Sequence, residues 1–315
     1  MGSEKEKIKV GRRKIKVSNT DKIFYPDVNL TKGDIIRYYR DISNYILPYF
    51  KDRPLSMHRF PDGIEGKKFF QKQVPDYFPE WIERRRVEKK EDGSVEHVLC
   101  QNEAILVYLV DQASLVMHVW LSTIDKPEYP DRLVFDLDPS GDDFDSVRFA
   151  ARKLYDFLTE KLEITPFVKT TGSSGVHVVI ALDKSQKFDP VRKFAGQITE
   201  IIARENTDKI TTEISKEKRG KRVFLDIARN AYAQTAVAAY SLRAKPGAPV
   251  ATPIHWEELW DRKMSSRKYT ATNIMKRLDK INDPWKDINR HAISVKKAQQ
   301  RLEKLMNQEY EKVKD

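Results

Sequence analysis

Two aspartates one residue apart, Asp136 and Asp138, interrupt an apolar run, LVFDLD at 133–138. In a β-strand, residues i and i+2 point to the same face, so the run predicts two carboxylates side by side. Like charges that close are costly unless a cation lies between them. Mg²⁺ and Mn²⁺, hard ions that prefer oxygen, suit such a pair. Asp226, in a second apolar run VFLDIA at 223–228, could complete the set. Three carboxylates can hold two divalent ions, an arrangement suited to in-line displacement at phosphorus. The plainer alternative is that Asp138 only ends a strand before Pro139.

The second chemical segment is Thr170-Thr171-Gly172-Ser173-Ser174-Gly175-Val176-His177. Its two glycines and two serines predict backbone N–H groups open to a phosphate. His177, at the start of the next strand, could donate to a triphosphate oxygen. An ordinary Gly-Ser turn beside a half-buried histidine is the competing reading. No Gly-Lys-Ser/Thr is present, so the segment is not a P-loop. Phe69-Phe70 sits among Lys67, Lys68 and Lys72. Neighbours in a strand face opposite ways, so one ring can enter the core while the other is exposed for base stacking; the competing reading is that both rings are core. Lys90-Glu91-Asp92-Gly93 has the Lys-x-Asp-Gly form of a nucleotidyl-lysine motif, but it lies in a charged run at the expected tip of a hairpin. We read it as surface. The single Cys100 excludes an intramolecular disulfide and reads as a small buried hydrophobe.

The elements that position these residues belong to a chain of 315 residues and 36.8 kDa, long enough for a sizeable core. Charged residues make up 33%, above the usual share of about 25%, yet 14 Phe, 13 Tyr and 5 Trp rule out a disordered chain. No apolar run approaches the roughly 20 residues needed to cross a bilayer. The first residues, MGSEKEKIKVGRRKIK, lack a secretory signal. A reducing, cytoplasmic setting is expected. The net charge is +11 and the pI 9.4. The charge is clustered: residues 1–16 carry a net +5, residues 214–222 a net +4, and Arg262 to Lys268 adds four basic residues. Clustering of this kind suits a polyanionic partner.

Residues 1–16 read as a basic arm or a first strand. Thr31 and Asp34 form a capping-box-like start to a helix whose end Pro48 and Pro54 should bound. Residues 55–60 and 67–73 read as short strands, and 84–100 as a charged hairpin about Asp92-Gly93. The apolar stretch 104–121 fits either helix or strand. Strands are expected at 133–138, 166–171, 176–182 and 223–228. Helices are expected from about Asp145 to Lys161 and from Asp189, as N-cap, with Pro190 in the first turn. The last 60 residues look helical and basic. Strands alternating with helices predict an α/β fold.

The combination DLDPS at 136–140, TTGSSGVHV at 170–178, FLDIARN at 224–230 and YSLRAKPGAPVATPIHWEEL at 240–259 resembles the primase-polymerase domain of prokaryotic ligase D, in the archaeo-eukaryotic primase superfamily. The resemblance runs from about Val17 to Leu278, and the chain also looks like the stand-alone archaeal versions. It implies an α/β (α+β) fold with an RRM-like catalytic sheet, flanking helices and an N-terminal accessory subdomain. The expected layout is an arm or strand at 1–16, the primase-polymerase domain at 17–290 with a catalytic core near 104–245, and a C-terminal basic helix at 291–315. By motif, Asp136, Asp138 and Asp226 would be the catalytic metal ligands for two Mn²⁺ or Mg²⁺ ions. His118, Thr171, Ser173, His177, Arg229 and Arg243 would bind the NTP or dNTP. Asn19, Lys22 and Lys32 match a pocket for the 5′-phosphate at the downstream end of a gap, and Phe69 and Phe70 match aromatics that stack on the template. Lys216 to Arg222 falls where the family has a mobile loop. Two positions depart from the family pattern: Ser174 stands where many bacterial members have Lys, and Thr171 where Ser is common.

The implied function is template-dependent nucleotidyl transfer, filling gaps and extending ends in DNA double-strand break repair by non-homologous end joining, with ribonucleotides preferred. The implied partners are DNA with gaps, nicks or 3′ overhangs and, through the family, a Ku-like protein, a DNA ligase and a phosphoesterase; no membrane partner is expected. Two alternatives remain: a catalytically weak module that binds or bridges DNA ends, and a replicative-type primase. The latter often carries a Cys/His zinc motif, which one cysteine cannot supply.

Overall fold

The computed structural model describes residues 6–141 and 143–312. In chain order the strands are β1 (Glu6–Val10), β2 (Arg13–Val17), β3 (Ile23–Tyr25), β4 (Leu30–Thr31), β5 (Leu55–Arg59), β6 (Phe69–Gln71), β7 (Arg84–Glu88), β8 (Ser94–Val98), β9 (Ser114–Trp120), β10 (Arg132–Asp138), β11 (Phe167–Thr170), β12 (Val176–Ala181), β13 (Ile210–Thr211), β14 (Val223–Asp226), β15 (Thr235–Val237) and β16 (Pro253–Ile254). The α-helices are α1 (Lys32–Asp41), α2 (Ser43–Phe50), α3 (Glu103–Asp111), α4 (Phe144–Asp156), α5 (Phe188–Glu205), α6 (Lys216–Arg219), α7 (Trp256–Trp260), α8 (Ile274–Leu278) and α9 (Val295–Lys312). This is the mixed α/β class that the sequence predicts. Residues 1–5 of the expected arm and 313–315 of the expected C-terminal helix lie outside the described residues.

The chain forms two compact units, each assembled from separate stretches: residues 1–125, 235–252 and 267–283 in the first, and 126–234, 253–266 and 284–315 in the second. The first unit holds a four-stranded sheet in the order β15-β9-β5-β6. Its helix α1 begins with the predicted capping box, in which the Thr31 hydroxyl accepts from Asp34 N and the Asp34 carboxylate accepts from Thr31 N. The single predicted helix is in fact two. Ile42, with φ −83° and ψ −2°, ends α1 and opens α2, so that Ile42 and Ile46 are both buried. Pro48 lies inside α2 rather than at its end; it removes one donor, and the helix stops two residues later at Phe50. The ambiguous stretch 104–121 resolves into α3 and β9, separated by Ala113 in the left-handed region at φ +60°. The hairpin β7-β8 closes as predicted, with Lys89 N donating to Gly93 O at 3.0 Å.

The second unit holds a six-stranded sheet in the order β13-β14-β10-β12-β11-β16. All its pairings are antiparallel except β13 with β14. Helices α4 and α5 pack along β10 and bury Val147, Leu154, Val191, Phe194 and Ile198. The start of α5 is earlier than predicted. Lys187 is the extended residue before it and the buried Phe188 is its first residue, so Asp189 sits inside the first turn instead of capping it. Helix α9 packs on α5 through an inward stripe of Val295, Ala298 and Leu302. It is the long basic C-terminal helix expected from the sequence, whereas α7 and α8 are single short pieces of five residues each.

Candidate active site

Strand β10 is the centre of the site. Its neighbours place Asp226 of β14 opposite Asp136 on one side, and His177 of β12 opposite Asp136 on the other. Residues paired across a sheet share a face, so Asp226, Asp136 and His177 form one row, and Asp138 stands one pleat further along the same face. Two features hold this strand in register. The Asn230 side chain clamps Val134 from both sides, its Oδ1 accepting from Val134 N at 2.8 Å and its Nδ2 donating to Val134 O at 2.7 Å. Gly175 lies so close to β10 that a Cβ there would sit 1.8 Å from Leu137 O. No other residue fits.

Asp136 is 3% exposed. Its Oδ2 accepts from Arg229 Nε at 2.9 Å. Its Oδ1 faces His177 Nε2 at 3.3 Å, and both Oδ1 and His177 Nδ1 are buried without a hydrogen bond. Burial pushes the Asp136 pKa up, but attraction to His177 and Arg229 outweighs it and holds the carboxyl below the usual range. Burial takes His177 down to about 4, against the pull of Asp136 and with help from the cross-strand Lys169. The imidazole is therefore neutral near pH 7, where Arg229 is the charged partner of Asp136. Asp138 behaves oppositely. Burial, then the charges of Asp136 and Asp226, raise it to about 6, and Arg229 and the Ser174 hydroxyl, 3.4 Å away, offset this only in part. The centre thus holds more negative charge than its surroundings neutralise.

This donor set fits hard divalent ions. It is all oxygen, Asp136 Oδ1 is an orphaned buried atom, and burial beside the charges of Asp136 and Asp226 raises the Asp138 carboxyl to about 6. It is not a closed cage. Among the described residues no three His, Cys, Asp or Glu are disposed to hold a metal as they stand, and Arg229 occupies one oxygen of Asp136.

The Gly-Ser segment differs from expectation. The predicted open N–H groups are partly taken by Thr171, whose hydroxyl accepts from Ser173 N at 3.2 Å and Gly175 N at 3.3 Å while donating to Gly175 O at 3.0 Å. A residue with a side-chain acceptor satisfies its own turn, so Thr171 is buried and shapes the loop. Gly172 takes φ +64° at the bend. Ser173 is partly exposed, with its carbonyl accepting from Ser266 Oγ. His177 is buried, with its Nε2 3.3 Å from Asp136 Oδ1. The stretch Lys216 to Arg222 carries the helical turn α6, where Arg219 donates to Glu213 O and Ile214 O and stacks over Phe224.

The remaining candidates belong to the first unit. Lys32 N donates to Lys22 O at 2.8 Å, so the two lysine backbones adjoin, and Asn19 opens the turn at φ +53°. The two ammonium groups differ. Lys32 Nζ, on a side chain 5% exposed, donates to Asp111 Oδ1 at 2.7 Å and Ser18 O at 2.6 Å. Lys22 Nζ, on a side chain 39% exposed, donates to Asp62 Oδ1 at 2.6 Å and Pro61 O at 2.8 Å. Neither phenylalanine enters the core: Phe69 is 36% and Phe70 58% exposed. They lie on the edge strand β6, and each meets its β5 partner on its own face. Phe70 stacks on His58 with centroids 4.0 Å apart, and Arg59 lies over Phe69 at 5.5 Å. His118 presents its ring to the edge of Phe70 at 5.7 Å. Burial, with Lys68 and Arg243 nearby, lowers His58 to about 4, so it stacks as a neutral ring. Arg243 is carried on a segment pinned by buried tyrosines: Tyr38 OH donates to Tyr240 O, Tyr25 OH donates to Arg243 O, and Tyr39 OH accepts from Leu242 N.

Sequence reasoning missed Asn230, His58 and the three tyrosines. Asn230 follows Arg229 directly, and a polar residue just after the apolar run 223–228 was the available signal. The others look like core residues in a periodicity reading.

Residues 31–285 match the family described as LigD, primase-polymerase domain. The bifunctional non-homologous end joining protein LigD of Bacillus subtilis is 32% identical over 280 residues, covering 88% of this chain and 44% of that protein. The multifunctional non-homologous end joining protein LigD of Mycolicibacterium smegmatis is 28% identical over 273 residues, 86% of this chain and 35% of that protein. The chain therefore spans less than half the length of these relatives. Among solved structures, the polymerase domain from Mycobacterium tuberculosis ligase D in complex with DNA superposes with a TM-score of 0.82 at 27% identity, over 89% of this chain and 99% of that one.

Proposed function

The chain belongs to the LigD primase-polymerase domain family and is a nucleotidyltransferase polymerase; from this we propose that it fills gaps and extends ends in double-strand break repair by non-homologous end joining. The observation that carries the reading is the surplus negative charge on one face of β10 and β14, at Asp136, Asp138 and Asp226. These three residues would hold two divalent ions, Mn²⁺ or Mg²⁺. Such ions, when bound, supply the Lewis acidity that activates a primer 3′-hydroxyl and stabilises the leaving pyrophosphate.

The chain's own residues prepare for that chemistry. Arg229 is the charged partner of Asp136 and fixes its orientation, and the neutral His177 seals the carboxylate from water on the opposite side. A bound cation would hold the Asp138 carboxylate ionised against its burial. Gly175 lets the Ser173-Ser174 turn approach β10, which supports a role for Ser173 beside the incoming phosphates. His118 and Arg243 are assigned to the nucleotide by motif. Lys22 is the member of the basic pair free to change partners, since its bond to Asp62 is exposed and screened. We therefore assign the 5′-phosphate to Asn19 and Lys22, with Lys32 holding their backbone in place. Phe70 offers the broadest exposed ring for the template. Preference for ribonucleotides, and partnership with a Ku-like protein, a ligase and a phosphoesterase, are part of the proposal.

The test is primer extension on a short-gapped duplex carrying a 5′-phosphate or a 5′-hydroxyl, with NTP and dNTP compared under Mn²⁺ and Mg²⁺. Metal-dependent addition that the phosphate stimulates and that is faster with NTP supports the reading. Tight binding to the phosphorylated gap with no addition under either metal would replace it with an end-bridging module.

A further inference from the structure

The hairpin β1-β2 pairs lysine with lysine. Its register sets Lys7 opposite Lys16 and Lys9 opposite Lys14. Because paired residues share a face and residues i and i+2 do too, all four ammonium groups stand on one side of the ribbon. All four residues are exposed, and none makes an ion pair or hydrogen bond with another described residue. The opposite side is the packed one: Val10, Ile15 and Val17 are buried, and Arg13 rests over the Trp81 ring at 4.6 Å. Gly11, at φ +56°, closes the tight turn. Like charges directly opposed destabilise a hairpin. Four unneutralised lysines opposed in pairs are therefore a standing cost to this hairpin.

We propose that this lysine face binds the phosphate backbone of duplex DNA downstream of the gap, an inference that rests on the polymerase reading above. Successive lysines on one strand are about 6.8 Å apart, two residues at about 3.4 Å. That equals the axial advance of two base pairs, at about 3.4 Å per step on each strand. The face carries no aromatic ring, and single strands are gripped by stacking on such rings. It carries no apolar residue either, so it lacks the desolvated centre of a protein interface and the group that would enter a membrane. What it offers is a ladder of point charges, suited to a regular polyanion read without regard to sequence. The ladder leads into the proposed phosphate pocket along the chain, because Lys16 ends the row three residues before Asn19.

The experiment measures equilibrium binding of the full chain to a gapped duplex with a long downstream arm, as a function of salt. Replacing Lys7, Lys9, Lys14 and Lys16 by Gln should lower the slope of log K against log salt by about 3 to 4, since each phosphate contact contributes about 0.9. A duplex with its downstream arm cut back should bind the parent and the variant alike. A second variant, Lys14→Glu with Lys16→Glu, creates two opposed ion pairs. It should raise the melting temperature while weakening DNA binding, which separates loss of contact from loss of fold. An unchanged slope in both variants would overturn the proposal, whatever acidic protein or anionic vesicle the face then bound. So would a loss of affinity that is independent of the downstream arm. The readout is binding without turnover, so absence of extension by the parent protein would sink the polymerase reading and leave this result standing.

Discussion

The carboxylate centre of the second unit and the lysine pair of the first are both clusters of charge beside backbone turns, yet their balance is opposite. At Asp136, Asp138 and Asp226, one guanidinium serves three acids, and burial together with the charges of Asp136 and Asp226 lifts Asp138 to about 6. At Lys22 and Lys32, each ammonium has its own carboxylate. Uncompensated charge in a folded protein is a state prepared for a ligand; compensated charge belongs to the scaffold until something displaces its partner. The lysine pair itself divides along that line. Lys32 and Asp111 are buried together, and removing either would strand the other in a low-dielectric setting. Lys22 and Asp62 are in solvent, and their exchange for a phosphate is cheap.

The comparison can be broken at several points. The largest effect belongs to Asp136→Ala, which should reduce extension by at least about 10³-fold and leave binding to duplex DNA intact; measurable turnover near the parent rate would remove Asp136 from the chemistry. Next is Lys32→Ala, which leaves Asp111 buried and unpaired. Denaturant melts should show a loss of about 3–5 kcal/mol, whereas a change under about 1 kcal/mol would make Lys32 a surface lysine in all but geometry.

Asp138→Asn tests the surplus itself. A carboxyl whose folded pKa lies above its unfolded value of 3.8 contributes stability at low pH, and that contribution is lost as pH rises through about 6. The metal-free protein should therefore lose stability on this account between pH 4 and pH 6.5. The Asn variant should not share that loss, and it should be the more stable of the two at pH 7 by on the order of 1–3 kcal/mol. It should also be inactive. Adding Mn²⁺ to the parent at pH 6 should release a proton, seen as a pH drop in weak buffer. Equal pH profiles for parent and variant would show that no surplus exists. The smallest effect is that of Lys22→Ala. Stability should move by no more than about 0.5 kcal/mol, while the preference for a 5′-phosphorylated gap falls. An unchanged preference would place the phosphate elsewhere.

Much of this could be read beforehand where the signal is local. The Thr31–Asp34 capping box, the charged hairpin and the strand carrying Asp136 and Asp138 all depend on neighbours within a few residues. The failures have a common cause. Phe69 and Phe70 alternate as any strand does, but whether a face is buried depends on the strand's place in the sheet, and β6 is at an edge. At Thr171 the motif marks a member of a phosphate-facing loop, and the turn's closed geometry adds that its hydroxyl uses two of the loop's donors. The break at Ile42 and the early start at Phe188 both follow from which side chains the core takes in.

By itself, the sequence determined the spacing of the carboxylates, the class of fold and the family, since period-two alternation and motif order are properties of the chain alone. Tertiary structure decided which charges are compensated. Asp226 meets Asp136 across 90 residues of chain, Arg229 turns onto one oxygen of that aspartate, and Lys32 finds Asp111 from 79 residues away. The reason is physical: a charge's pKa and its availability depend on burial and on partners a few ångströms away, and those partners are chosen by the fold rather than by distance along the chain.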